Sequence, residues 1–190
     1  MLKVSNIRKI INGKTIIDDI SFNINLGNIY GLLGPNGAGK TTTFYSIAGL
    51  IKCDEGEIYL GDSNITKLPM HKRSKLGIKY LPQEPSIFQN LTVMENLMGL
   101  AELSYASKKD VDQFVEKSIE DFKLSKILNS KGRELSGGQR RKVEIARTLA
   151  ADPKIILLDE PFTGIDPIAI EEIQEILRIV ANNNIGILIT

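Results

Sequence analysis

Apolar residues change their spacing several times along this chain, and each change predicts an element. Over the first 30 residues short apolar runs are broken at Asn12-Gly13 and Gly27-Asn28, the pattern of a small antiparallel sheet with tight turns. Ile29 to Leu33 is a short apolar run that meets a glycine-rich stretch, and a helix is predicted from Lys40 to Leu50. Further strands are predicted at Glu57–Gly61 and Gly77–Leu81. From about Glu84 to Ala151 the pattern turns helical. Val111, Phe114, Val115, Ile119 and Phe122 recur there at the spacing of an amphipathic helix. Ile155-Ile156-Leu157-Leu158 is a continuous apolar run, as expected of a parallel strand buried on both faces. Ile170, Ile173, Ile176, Leu177 and Val180 mark a second amphipathic helix, and Ile185 to Thr190 a last strand. Strands alternating with helices predict an α/β fold. Its core is a parallel sheet, with an N-terminal antiparallel β-subdomain and a helical insertion.

The chemistry begins in the glycine-rich stretch. Gly34-Pro35-Asn36-Gly37-Ala38-Gly39-Lys40-Thr41 fits the phosphate-binding pattern G-x-x-x-x-G-K-[ST], with a strand before it and a helix after it. Glycines let successive backbone N–H groups turn inward around phosphate oxygens, a path that a Cβ would obstruct. In this pattern Lys40 reaches the β- and γ-phosphates, the Thr41 hydroxyl ligates Mg²⁺, and the helix N-terminus adds its partial positive charge. Asp159-Glu160 directly follows the predicted strand Ile155–Leu158. Many strands end in solvated acids; the upstream phosphate loop gives this pair its meaning, with Asp159 on the metal side and Glu160 as general base.

Leu135-Ser136-Gly137-Gly138-Gln139 precedes a helical stretch and reads as a capping box, Ser136 at the N-cap and Gln139 three residues on. Capping leaves two glycines in the first turn unexplained, each costing roughly 1 kcal/mol against alanine. A phosphate approaching their N–H groups would account for both.

Composition narrows the classes. With 24 Lys+Arg against 23 Asp+Glu the formal net charge is +1, which argues against a protein that coats nucleic acid. One cysteine, Cys53, leaves no intramolecular disulfide or zinc site and points to a reducing compartment. The N-terminus lacks the apolar run of a signal peptide, and no stretch reaches the ~18 apolar residues of a membrane span. His71 and the basic residues Lys72, Arg73 and Lys75 read as a solvated face. Phe88 and Met94–Leu100 read equally as core or as an apolar groove.

Taken in order, Gly34–Thr41, Leu135–Gln139 and Ile155–Glu160 resemble the ATP-binding cassette family over essentially the whole chain. The resemblance implies one cassette domain over residues 1–190, with residues 84–151 as its helical subdomain. It also implies a C-terminal truncation, because the family's switch histidine follows the last core strand. ATP and Mg²⁺ are the implied ligands. Gly34, Pro35, Asn36, Gly37, Ala38, Gly39, Lys40, Thr41 and Thr42 would hold the phosphates. Thr41, Asp159 and Gln83 would hold Mg²⁺, and Glu160 would be the catalytic base. Ser136, Gly137, Gly138 and Gln139 would meet the γ-phosphate held by a second copy in a head-to-tail dimer, with Gly164-Ile165-Asp166 crossing the interface. The chain would lie in the cytoplasm, peripheral on the cytoplasmic face of the inner membrane, where integral membrane subunits would engage its Gln83 region, with no nucleic acid involved and no direct contact to a cargo lipid. Ile11 falls where many cassettes stack an aromatic on adenine.

Within the family the sequence is similar to ATPase subunits of lipopolysaccharide exporters. The residues behind that likeness are Thr41-Thr42-Thr43-Phe44-Tyr45, Leu81-Pro82-Gln83-Glu84-Pro85-Ser86-Ile87-Phe88, Asn96-Leu97-Met98 and Asp159-Glu160-Pro161-Phe162-Thr163. Cassettes of branched-chain amino acid importers are the second likeness, and a nucleotide-binding fragment without turnover is the third reading. Chromosome-handling ATPases separate the two glycine motifs by a long coiled coil, and no sustained heptads lie between Lys40 and Ser136. Ribosome-acting relatives usually carry two cassettes in one chain.

Overall fold

The alternation at the N-terminus folds as a hairpin of β1 (Leu2–Ile11) and β2 (Lys14–Ile24), paired antiparallel from Leu2↔Ile24 to Ile11↔Lys14. Its two turn residues, Asn12 (φ 50°) and Gly13 (φ 76°), are both left-handed, as a two-residue hairpin turn that follows strand twist requires. The computed structural model describes all 190 residues. After the hairpin come β3 (Ile29–Gly31), α1 (Lys40–Ala48), β4 (Glu55–Leu60), β5 (Ser63–Asn64), α2 (Met70–Lys75) and β6 (Ile78–Leu81). Then follow α3 (Val93–Ser104), α4 (Lys108–Asp121), two 3₁₀ turns, α5 (Gly137–Leu149), β7 (Ile155–Leu158), α6 (Pro167–Asn182) and β8 (Gly186–Ile189).

The chain forms two compact units. The first comprises residues 1–80, 154–160 and 181–190, and the second residues 81–153 and 161–180. The first unit holds an antiparallel sheet of order β2-β1-β4-β5 and a second sheet of order β3-β8-β7-β6. All four residues of β7 are buried, which explains their uninterrupted apolar run. Because β3, β8 and β7 pair in parallel, their C-terminal ends open on one edge. That edge collects the glycine-rich loop after β3, Asp159-Glu160 after β7 and Thr190 after β8, the usual location of ligands in parallel sheets. One core unites this unit: Leu2, Ile7, Ile24, Phe44, Ile47, Ile58, Ile155, Leu157 and Leu188 belong to the same buried cluster. Each such side chain contributes roughly 1.5–3 kcal/mol through burial.

Arg73 departs from the solvated basic face that its neighbours predict. His71, Lys72 and Lys75 are exposed, but Arg73 is buried. Its guanidinium donates to four carbonyls, those of Ser46 (2.6 Å), Ile47 (2.8 Å), Thr66 (2.7 Å) and Leu68 (2.8 Å). Two of these lie in the last turn of α1, where the helix dipole favours a cation. The charge is thus satisfied by backbone oxygens.

In the second unit, α3 starts on a Thr92–Glu95 capping box and packs against α4 and α5. Val111 and Val115 of α4 are buried, as the amphipathic spacing predicts. Leu97 is also buried, whereas Phe88 is half-exposed, with the Arg147 guanidinium 4.6 Å from its ring centre. The core and groove readings of this stretch therefore divide between neighbouring residues.

Candidate active site

The glycine-rich loop is built from three different constraints. Gly37 (φ 81°) has open space where a Cβ would sit, so conformation alone requires glycine there. Gly39 (φ 86°) is constrained twice, since a Cβ would lie 2.5 Å from the Ile16 carbonyl oxygen. The Ala38 N–H closes a turn on the Pro35 carbonyl at 3.2 Å. Gly39 also occupies the N-cap of α1, and no side chain caps that helix. Its first-turn N–H groups thus keep their capacity for an anion. The Lys40 ammonium is held over the loop by the carbonyls of Gly34 (2.8 Å) and Pro35 (3.0 Å).

Across from the loop, Asp159 is buried at the end of β7. Its Oδ1 accepts from the hydroxyls of Thr41 (3.4 Å) and Thr190 (3.0 Å), and its Oδ2 from Tyr80 (3.2 Å). Burial first, and then the charge of Asp159, push the Tyr80 phenol well above its ordinary pKa, so Tyr80 stays protonated and acts as donor. Glu160 follows with φ 42°, a left-handed conformation uncommon outside glycine. Glu160 shares a recess of about 250 Å³ with Ile16, Asn36, Gly37, Gly39, Lys40, Thr41 and Thr42.

The residues fit a phosphate ester with a hard cation. A loop that no Cβ could follow at Gly39 presents backbone N–H groups, a lysine lies over it, and the nearby Thr41 and Asp159 donors are all oxygen, the set that suits Mg²⁺. Ile11, the expected adenine neighbour, ends β1 half-exposed opposite Lys14, and the aliphatic wall of the recess comes from Ile16. Ile16, Tyr80 and Thr190 were invisible as site residues in the sequence, because each reaches the recess or Asp159 only through strand pairing.

The second unit holds the remaining candidates. Ser136 caps α5, its Oγ accepting the Gln139 N–H (3.3 Å) while Gln139 Oε1 accepts the Ser136 N–H (3.0 Å). The two glycines that follow Ser136 are not equivalent. A Cβ on Gly138 would lie 2.4 Å from the Ala169 Cβ, whereas at Gly137 the nearest atom is 3.5 Å away. Close packing on α6 therefore requires glycine at Gly138 by itself, a second reason beside any approach of a phosphate to its N–H. Gln83, Gly137, Arg140, Thr163 and Gly164 line a recess of about 470 Å³ in this unit. One wall carries the buried Arg141–Glu144 pair of α5 (3.2 Å), which bonds backbone on both sides of Gln83. Arg141 donates to Pro82 O and Pro161 O, and Glu144 accepts from the amides of Ser86 and Ile87. Asp166 accepts the Ala169 N–H at 3.0 Å and so caps α6.

A phosphate-type loop before a helix, an acid pair at the end of a parallel strand and a capped Ser-Gly-Gly-Gln turn together define an ATP-binding cassette. Residues 17–163 match the ABC transporter family model, and the chain belongs to that family of transport ATPases. It is 49% identical over 195 residues to the lipopolysaccharide export system ATP-binding protein LptB of Haemophilus influenzae, covering 100% of this chain and 79% of that protein. It is 46% identical to the protein of the same name from Escherichia coli, again over 100% of this chain and 79% of the relative. These named relatives favour the exporter likeness over the importer one. Among solved structures, an ABC transporter cassette in its ADP conformation superposes with a TM-score of 0.86 at 33% identity, over 99% of this chain and 79% of that one. No helix is long and apolar enough to cross a membrane.

Proposed function

We propose that this chain is the ATP-hydrolysing subunit of a lipopolysaccharide exporter. It works as a head-to-tail pair beneath integral membrane subunits, on the cytoplasmic face of the inner membrane. The observation that carries the reading is the shared recess, where Glu160 opens onto the same space as Asn36, Gly37, Lys40 and Thr41. The exporter assignment is supported by 46–49% identity to proteins named for lipopolysaccharide export. This chain does not touch the lipid cargo; it supplies the energy.

The loop N–H groups and the start of α1 bind the phosphates of ATP, and the Lys40 ammonium exchanges its two loop carbonyls for β- and γ-phosphate oxygens. Thr41 and Asp159 would hold Mg²⁺. When bound, Mg²⁺ neutralises charge on the β- and γ-oxygens. Glu160 orients water for in-line attack and accepts its proton. The Ser136–Gln139 turn of one copy closes on the γ-phosphate held by the other and stabilises charge in the transition state. Ile16 packs beside the nucleotide where other cassettes use an aromatic further upstream.

Glu160→Gln tests the reading. The variant should bind ATP with wild-type affinity while turnover falls about 10²–10⁴-fold, the usual worth of a general base. Expressed in its own host, it should arrest delivery of lipopolysaccharide to the cell surface. Undiminished hydrolysis sinks the role of Glu160, and normal delivery alongside lost hydrolysis sinks the exporter.

A further inference from the structure

The end of β8 places a hydroxyl where the acid pair needs one. β7 and β8 pair in parallel from Ile155↔Gly186 to Leu158↔Ile189, and the Thr190 N–H continues the ladder to Leu158 O at 3.3 Å. The Thr190 side chain therefore arrives beside Asp159 and Glu160. Its Oγ1 accepts the Glu160 N–H at 2.8 Å and donates to Asp159 Oδ1 at 3.0 Å. A hydroxyl has one proton and two lone pairs, so it can serve both neighbours at once. The left-handed φ of Glu160 (42°) is a conformation that persists only where its surroundings over-determine it. The bond to Thr190 is such a determinant, and φ sets the direction in which the Glu160 side chain leaves the backbone.

We propose that Thr190 is a positioning residue: its hydroxyl holds the Glu160 backbone left-handed and turns the Asp159 carboxylate toward Thr41. Glu160 then meets the recess over the phosphate loop, and Asp159 meets the Thr41 hydroxyl, in fixed directions. A carboxylate free to rotate about its own axis, next to a base free to flip out, would lose the alignment that in-line attack demands. This role rests on the assignment of Glu160 as base, but the clamp itself can be measured without turnover.

Thr190→Val preserves the shape and removes the hydroxyl, whereas Thr190→Ser keeps the hydroxyl. Thr190→Ala is a second hydroxyl-free variant should the valine fail to fold. In nucleotide-free protein, the Glu160 amide should exchange its hydrogen at least about tenfold faster in Thr190→Val and at the wild-type rate in Thr190→Ser. Under turnover, Thr190→Val should lower kcat by about 10- to 100-fold with KM for ATP within about threefold, and Thr190→Ser should restore kcat. Unchanged amide exchange in the hydroxyl-free variants overturns the clamp. So does a serine variant as impaired as the valine, or a loss that falls on KM and spares kcat. If Glu160→Gln leaves turnover intact, the base assignment fails, while amide exchange still decides the clamp.

Discussion

Two glycine-rich turns start helices in this molecule, and they are finished in opposite ways. The loop before α1 ends on a left-handed glycine with no side-chain cap, which leaves the first N–H groups of the helix available. The turn before α5 closes on itself, because Ser136 and Gln139 satisfy each other's backbone amides. Its one sterically demanding glycine, Gly138, is explained by Ala169 across the packing with α6. The first turn is shaped for a ligand from outside the chain. The second is a structural element in its own right, and any contact with a phosphate is added to a turn already complete. Similar sequence signatures can thus express different physical needs.

Gly39→Ala should break the comparison most severely. Roughly 1–3 kcal/mol of left-handed strain and a similar cost for pressing a Cβ onto the Ile16 carbonyl together predict a loss of ATP affinity of about 30-fold or more. Titration with ATP and Mg²⁺ measures it, and unchanged affinity would mean that the loop geometry is not what binds. Next comes the pair Gly138→Ala and Gly137→Ala in nucleotide-free protein. Overpacking of about 1–3 kcal/mol at Gly138 should lower Tm by roughly 2–10 °C, whereas Gly137→Ala should leave Tm unchanged or slightly higher. Equal Tm values would remove the steric account of Gly138. Ser136→Ala sharpens the contrast with the smallest effect. Loss of the cap should cost about 1 kcal/mol, a fall of roughly 2–4 °C in thermal unfolding, because this turn, unlike the first, depends on its own cap.

Much of the fold was legible because its signals are local. The Asn12-Gly13 turn, the four-residue apolar run of β7 and the spacing of Val111 and Val115 each report on neighbours a few residues away. The phosphate loop and the Ser136–Gln139 box were legible for the same reason, since both are hydrogen-bonding patterns within one turn. Arg73 was misread because a buried arginine looks like its exposed neighbours until Ser46, Ile47, Thr66 and Leu68 surround it. The packing constraint on Gly138 was not legible, because it comes from Ala169 on another helix. Tyr80, Ile16 and Thr190 left no signal at all, since a tyrosine or an isoleucine in a strand, or a threonine at a strand's end, is what any sheet would use.

The amino-acid sequence by itself determined the class of site: a glycine loop, a lysine and two acids in the order that serves a nucleotide, each within a motif a few residues long. Only the tertiary structure decided which groups hold those acids in place. Parallel pairing of β7 with β8 brings Thr190 to Asp159 and Glu160, 31 and 30 residues away along the chain. The physical reason is that a hydrogen bond acts over about 3 Å of space, and separation along the chain does not tell where a strand will end.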